Sequence, residues 1–319
     1  MSGTLKTYSH LAGRRRMPTE YEIVTSRLHY YVGRGFEVNV PISDWYKQYQ
    51  DDSPLQCSDW DAFHDPRETT YTRYTALQRV KEGYVDALLT SIERPEESRG
   101  VDPTWSPVRA RTLSAFRYAG HCLQMIAAYV GQMAPSGRIT IAALFQAADE
   151  MRRVQRAAYG TALARLRDPE IAAQGKAAWQ SDPAWQPFRA LLERLLVTYD
   201  FGESLVALNA CVKPLVDLVF VTELAAEARR RSDPLWGEVL ASLDEDCQWH
   251  RAWMKALLDM VRADHPDNDA VLTEWAASWV RQSEEAVRAV AGVFLERPAI
   301  DRAITRAAEI RADLGVERS

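Results

Sequence analysis

The chain has 319 residues, 47% hydrophobic and 26% charged, with a formal net charge of −5. That length supports one large domain or two ordinary ones, the composition is that of a soluble globular protein, and the acidic balance argues against nucleic acid as a partner. Residues 1–17 carry no apolar signal core, and the best apolar run, residues 139–148, is interrupted by Gln146 and too short to cross a membrane, so the expectation is a cytoplasmic protein with no membrane contact.

Residues 1–70 read as an extended arm rather than a compact domain. Pro18, Pro41, Pro54 and Pro66 punctuate them, and aromatics are scattered without helical or strand period. Disordered tails are poor in aromatics, so the arm is expected to be ordered, with its rings buried against something. A short helix is predicted over residues 19–29, with Thr19 as N-cap. Ten Trp and thirteen Tyr in the whole chain fit buried interfaces, where such rings are enriched.

From Tyr71 onward the pattern is helical, and residues 71–319 are expected to form one bundle. Leu77, Val80, Tyr84, Leu88 and Ile92 recur at spacings of three and four, which predicts a helix ending before Pro95. Further helices are predicted over residues 103–132, 140–166, 182–231 (kinked near Pro214), 234–265, 267–296 and 299–314, each bounded by Pro, Gly or Asp-Pro signals. No strand-like alternation longer than four residues occurs, and no Gly-rich phosphate loop. Long helices joined by short turns describe an antiparallel all-α bundle. Cys57, Cys122, Cys211 and Cys247 are too far apart in sequence for a CxxC or zinc-ribbon reading, and read as reduced structural thiols.

Two stretches raise the question of a metal centre: ADEMRRVQ at 148–155 and DEDCQWHRAW at 244–253. A carboxylate-bridged iron pair in a bundle needs one Glu from each of two helices and Glu-x-x-His from each of two others. Glu150 has Arg153 where the His belongs, and a guanidinium has no lone pair for a cation. His250 is present, but Cys247 stands in the Glu position. Gly120 and Lys213 occupy the places where the neighbouring helices would each supply a Glu. The chain is therefore expected to hold no metal, no cofactor and no catalytic residue, with Glu150 and Arg153 as a helix ion pair and His250 in the core or at the surface. The competing readings are a metalloprotein with a rearranged site drawn from Glu150, Glu203, Asp217, Asp246 and His250, and a helical adaptor unrelated to such enzymes.

A family resemblance rests on particular blocks. They include Tyr8-Ser9-His10-Leu11, Pro18-Thr19-Glu20-Tyr21-Glu22, Arg27-Leu28-His29-Tyr30, Trp45-Tyr46-Lys47-Gln48-Tyr49 and Trp60-Asp61-Ala62-Phe63. Thr70-Tyr71, His121-Cys122-Leu123-Gln124-Met125, Gln132-Met133-Ala134-Pro135, Val212-Lys213-Pro214 and His250 with Trp253 continue them. In these the chain resembles the β subunit of the hydroxylase component of bacterial multicomponent di-iron monooxygenases, in the toluene, alkene and isoprene group. The resemblance implies a ferritin-like, ribonucleotide-reductase-like helical bundle that has lost its metal site. It implies a catalytic α subunit holding the di-iron centre, a γ subunit and a second αβγ protomer. It also implies an effector protein, a Rieske ferredoxin and an NADH-dependent reductase with FAD and an iron–sulfur cluster, the whole inserting one atom of O2 into an alkene or arene. Tyr8, His10, Tyr21, His29, Trp45, Tyr46, Tyr49, Trp60, Phe63 and Tyr71 are then candidates for the subunit interface, or for packing on the chain's own bundle.

Overall fold

A computed structural model describes residue 11 and residues 16–26, 41–92 and 100–316. The described residues form helices and no strand. In the arm, α1 (Glu20–Thr25) is a single turn and a half fixed by a capping box: Thr19 Oγ1 accepts from the Glu22 amide while the Glu22 carboxylate accepts from the Thr19 amide. It stops at Ser26, short of the predicted extent. A second short helix, α2 (Pro41–Tyr46), runs into a π turn over Lys47–Asp51.

Two long antiparallel helices follow α3 (Tyr71–Ile92): α4 (Trp105–Met133) and α5 (Gly137–Arg165), reversing at Ala134–Ser136, where the Ser136 hydroxyl caps α5. Between the two Asp-Pro signals, outside the helices predicted from sequence, lies α6 (Ile171–Ser181). It also ran α7 (Gln186–Leu196) into the next helix, whereas the chain breaks at Val197–Asp200. There the Asp200 carboxylate caps a new helix by accepting from the Glu203 amide at 2.8 Å, and Ser53 of the arm donates to the same carboxylate at 3.0 Å.

The new helix, Phe201–Arg230, is the centre of the bundle. It comprises α8 (Phe201–Val206), α9 (Lys213–Asp217) and α10 (Leu224–Arg230) with π turns between them at Ala207–Val212 and Leu218–Glu223. The first π turn ends two residues before Pro214, whose nitrogen offers no donor and whose ring crowds the carbonyl of the preceding turn; the widened turn closes with the Lys213 amide on the Leu208 carbonyl. This stretch overturns the expectation that no segment is long and apolar enough to cross a membrane. Its most apolar 18-residue window has a mean hydropathy of 1.8, and 94% of that window is buried. It is apolar all round because other helices surround it.

Residues 234–265 divide into α11 (Pro234–Ala241) and α12 (Asp244–Asp264), followed by α13 (Asn268–Ala291) and α14 (Arg297–Asp313). Helices α4, α5, Phe201–Arg230 and α12 enclose one continuous core containing Leu123, Ile126, Leu208, Val212, Leu215, Trp253 and Leu257, all nearly inaccessible.

The apolar stripe of α3 divides: its first three residues face outward, and Leu88 packs half-buried against the core. Val80 is 75% exposed, Tyr84 50% and Leu77 36%, while Tyr74, Gln78, Val85 and Leu89 point inward. The inward stripe was hidden because Gln78 and Lys81, polar in sequence, lie against buried carboxylates described below.

Candidate functional site

Midway along the bundle, α5, α9 and α12 bring Glu150, Arg153, Lys213, Asp217, Cys247 and His250 together, all buried. Lys213 Nζ lies 2.5 Å from Glu150 Oε1 and donates to Asp217 Oδ1 and Oδ2 at 2.8 and 2.9 Å. Arg153 donates to Asp217 Oδ1 at 2.8 Å, with Glu150 Oε2 further away at 3.5 Å, and its guanidinium covers the Phe116 ring. The sequence-expected pair of Glu150 with Arg153 is thus the longer contact, and Asp217 is the guanidinium's main partner. The inner cluster has two carboxylates and two cations, a balanced set in a low-dielectric interior.

Gly120 of α4 is buried beside this cluster. A Cβ there would meet Val154 at 2.9 Å and Phe116 at 3.2 Å, so the helix approaches α5 where only a glycine fits.

Electrostatics follow from burial and pairing. Burial alone would raise the Asp217 carboxyl, but the Lys213 ammonium and Arg153 guanidinium hold it below the usual carboxylate range. Burial would likewise strip the proton from Lys213, but Asp217 and Glu150 outweigh it and raise its pKa. Cys247 is pushed well above an ordinary thiol by burial, then by the Asp217 anion, so it stays a thiol. Burial, then the Lys213 ammonium, lowers His250 to about 3. His250 is therefore neutral, and with its Nε2 3.0 Å from Asp149 Oδ2 it acts as donor there.

A second layer, of which the sequence pointed only to Asp246, ties α3 to the cluster. Asp149 Oδ1 accepts from the Tyr74 hydroxyl at 2.6 Å and from Gln78 Nε2 at 2.8 Å. Asp246 accepts from Lys81 at 2.7 Å, Arg152 at 2.8 Å and Gln78 at 3.2 Å. Gln78 bridges the two carboxylates, and Lys81 also lies 4.0 Å from the centroid of Trp249. Along the bundle axis, Trp253 Nε1 donates to Gln146, whose amide donates to Asn209. The signals available in sequence were Lys213 and Asp217 at i, i+4 and the acids Asp149 and Asp246 inside otherwise buried helices.

Of the residues proposed for a rearranged metal site, Glu203 lies elsewhere, accepting from Trp279 Nε1 at 2.9 Å. Asp246 is engaged by Lys81 and Arg152. Among the described residues no group of three or more His, Cys, Asp or Glu is disposed to hold a metal ion.

The aromatic candidates divide. Tyr21 and Phe63 are 2% and 1% exposed and pack inside this chain: the Asp65 amide donates to the Tyr21 hydroxyl, and Phe63 meets Trp253 edge-on. Trp60 stands edge-on to Phe201. Trp45 and Tyr49 form a half-buried cluster with Tyr199, and the Tyr46 hydroxyl reaches the Gln132 carbonyl. Tyr71 is 74% exposed. Tyr8, His10 and His29 lie outside the described residues.

With this geometry in hand, comparisons with known proteins are specific. Residues 45–265 match the family model described as methane/phenol/alkene hydroxylase. The chain is 33% identical over 317 residues, 97% of both chains, to the toluene-4-monooxygenase hydroxylase component subunit beta of Ectopseudomonas mendocina. It is 28% identical to the propane 2-monooxygenase hydroxylase component small subunit of Mycolicibacterium goodii, covering 82% of this chain and 73% of that one. A chain of toluene 4-monooxygenase, solved with toluene in its resting active site, superposes with a TM-score of 0.86 at 34% identity over 92% of this chain and 99% of that one. Phenol hydroxylase from Pseudomonas sp. OX1 shares the fold, with a TM-score of 0.86 at 17% identity over 99% of this chain and 97% of that one. The chain belongs to the methane/phenol/alkene hydroxylase family, as a β subunit of a multicomponent monooxygenase hydroxylase.

Proposed function

We propose that this chain is the non-catalytic, structural β subunit of its hydroxylase, holding a catalytic α subunit in place. The observation that carries the reading is the Glu150–Lys213–Asp217–Arg153 cluster. An iron pair in this bundle would sit among Gly120, Glu150, Arg153, Lys213, Cys247 and His250. These residues do not fit it: one position has no side chain, one guanidinium and one ammonium fill the centre, and Glu150, the one carboxylate among them, is already paired with those cations. No chemical step is therefore assigned to this chain.

The outer face of α3 supports the subunit role. Leu77, Val80 and Tyr84 are exposed at spacings of three and four, with Tyr71 exposed one helix end away. A contiguous apolar stripe on an otherwise well-packed chain fits coverage by a partner. The arm, residues 1–70, would add to that contact through Trp45, Tyr46 and Tyr49, while Trp60 and Phe63 clamp the arm to residues 71–319 through Phe201 and Trp253, and Tyr21 packs within the arm.

In this reading the di-iron centre belongs to the α subunit, and a γ subunit and a second αβγ protomer complete the hydroxylase. The electron-transfer components carry NADH, FAD and iron–sulfur chemistry, and an effector protein, a Rieske ferredoxin and a reductase join them in the cytoplasm. The reaction is insertion of one oxygen atom into an aromatic or alkene substrate, in keeping with relatives named for toluene and phenol, while another relative is named for propane, an alkane. The test is co-expression with the α and γ partners followed by an NADH-driven assay on toluene and propene. Co-purification with oxygenation that disappears when this chain is omitted supports the reading. Full oxygenation without this chain, or failure to co-purify, contradicts it.

A further inference from the structure

Outside the central cluster, the start of α4, the end of α5 and α11 leave a pocket of about 440 Å3 between them. Its walls are Pro107, Ala110, Leu163, Ala164, Ile171 and the ring of Trp236. Ala110, Ile171 and Trp236 are buried, so the floor is fixed by the bundle's own packing. Trp236 reaches α5 only because residue 160 is glycine: a Cβ there would stand 2.6 Å from the indole. Leu166, exposed and also part of the lining, carries the apolar surface outward.

The charged groups of the lining, Arg109, Arg167 and Asp168, are already committed. Arg109 is ion-paired with Asp233, which also accepts from Trp105 Nε1 at 3.1 Å, and its guanidinium lies 5.0 Å from the Trp236 centroid. Asp168 accepts from the Glu170 amide at 3.0 Å and from Gln174 at 3.1 Å, at the start of α6. Arg167 is exposed and has an interaction of its own. An ion entering the pocket would give up hydration and meet no unpaired charge among these three. What the pocket offers a guest is apolar surface and an indole ring.

The volume is that of a small-molecule site, and a dry apolar cavity of about 150 Å3 is already enough to hold benzene. A planar arene gains ring–ring contact with an indole beyond the apolar area it buries. The geometry points to a binding site in this chain for a small neutral aromatic hydrocarbon. Its ring lies against Trp236 and Ala110, and its outer edge meets Leu163 and Ala164. Selectivity then comes from desolvation: the neutral ring loses nothing on entry, whereas a charged or strongly polar analogue of the same size loses hydration without replacement.

The probe is fluorobenzene, titrated into the assembled hydroxylase and followed by fluorine NMR, with benzoate as the charged counterpart. A saturable component is expected in the native protein that Ala164→Phe, which fills the pocket without touching a charge, removes. Ala164→Asn, which puts a polar amide in the wall, weakens that component by about ten-fold, and benzoate competes for it about ten-fold more weakly than fluorobenzene or worse. Thermal melting checks that each variant is folded, and Ala164→Asn decides the matter if Ala164→Phe does not assemble. The proposal is overturned by titrations that coincide in the native protein and a folded variant, as they would if fluorobenzene were held by partner subunits alone or if a partner side chain plugged the pocket. Benzoate competing as tightly as fluorobenzene overturns it equally.

Discussion

The Lys213 ammonium lies 2.5 Å from the Glu150 carboxylate, in the interior of the bundle, with both side chains 2% exposed. Each charge there depends on the other. Removing one leaves the rest unpaired in a medium that solvates it poorly, at a cost of about 3–5 kcal/mol, whereas replacing the whole set with apolar groups of similar size is about neutral or stabilising. Lys213→Met is therefore expected to lower stability by that amount. The quadruple replacement Glu150→Leu, Arg153→Met, Lys213→Met, Asp217→Leu is expected to recover most of it. Urea unfolding of both variants measures this, and a quadruple variant as unstable as the single one would refute the coupling.

Acid sensitivity has a defined origin in His250. Its folded pKa of about 3 lies below the ordinary value of about 6.5. Between those values the unfolded chain binds a proton that the folded chain excludes, so stability is complete above about pH 6.5 and declines as pH falls toward about 3, by at most about 1.4 kcal/mol per pH unit. Asp217 acts lower: its depressed carboxyl contributes stability that is present above about pH 4 and lost as pH falls through its folded value. His250→Gln keeps a donor toward Asp149 and removes the imidazole titration. Its melting temperature between pH 7 and pH 4 should decline less steeply than that of the native chain, and parallel curves would show that His250 is not the group responsible.

Two glycines should behave in opposite ways. At Gly175, where α6 crosses α4, a Cβ would lie 2.1 Å from Ser114 Oγ and 2.8 Å from the Ser114 carbonyl carbon. Gly175→Ala is expected to destabilise by about 1–3 kcal/mol. Gly83 on α3 has nothing within 4 Å of an added Cβ, so Gly83→Ala is expected to stabilise by about 0.4–1 kcal/mol through reduced unfolded-state freedom. Thermal denaturation of the two variants decides; a neutral Gly175→Ala would mean that α6 can move away from α4.

The α3 stripe makes a prediction about assembly. Val80 is 75% exposed, so Val80→Asp should change the chain's own stability by no more than about 0.5 kcal/mol. In a covered apolar face the same change places an unpaired charge against the partner, and association should weaken by about ten-fold or more. Size-exclusion chromatography of the co-expressed subunits reads this directly. Unchanged co-elution would place the contact elsewhere.

The sequence made some of this legible and hid other parts for identifiable reasons. Thr19 was legible as an N-cap, and the structure completes a capping box there with Glu22. The α4–α5 hairpin was marked by Pro135-Ser136-Gly137. The inner face of α3 was not legible because periodicity counts apolar residues, and that face contains Gln78 and Lys81, whose carboxylate partners come from helices far away in sequence. The break before Phe201 was missed because the signal is one Asp inside a long apolar tract, recognisable only when Ser53 is seen to support it. Short, Ala-rich α6 has no strong stripe of its own. In the central cluster, Arg153, Cys247 and Lys213 could be read as wrong residues for a metal, but the dominant pairing of Arg153 with Asp217 needed the spatial arrangement of α5 and α9.

The most direct test of the central claim is iron stoichiometry. The hydroxylase should be purified from iron-replete cells with this chain native, and again with Glu150→Gln and with His250→Gln in this chain only. If the charged cluster replaces a metal centre, iron per assembled αβ pair is the same in all three preparations, and this chain separated from its partners retains none. Stoichiometric iron on the separated chain, lost in either variant, would contradict the account.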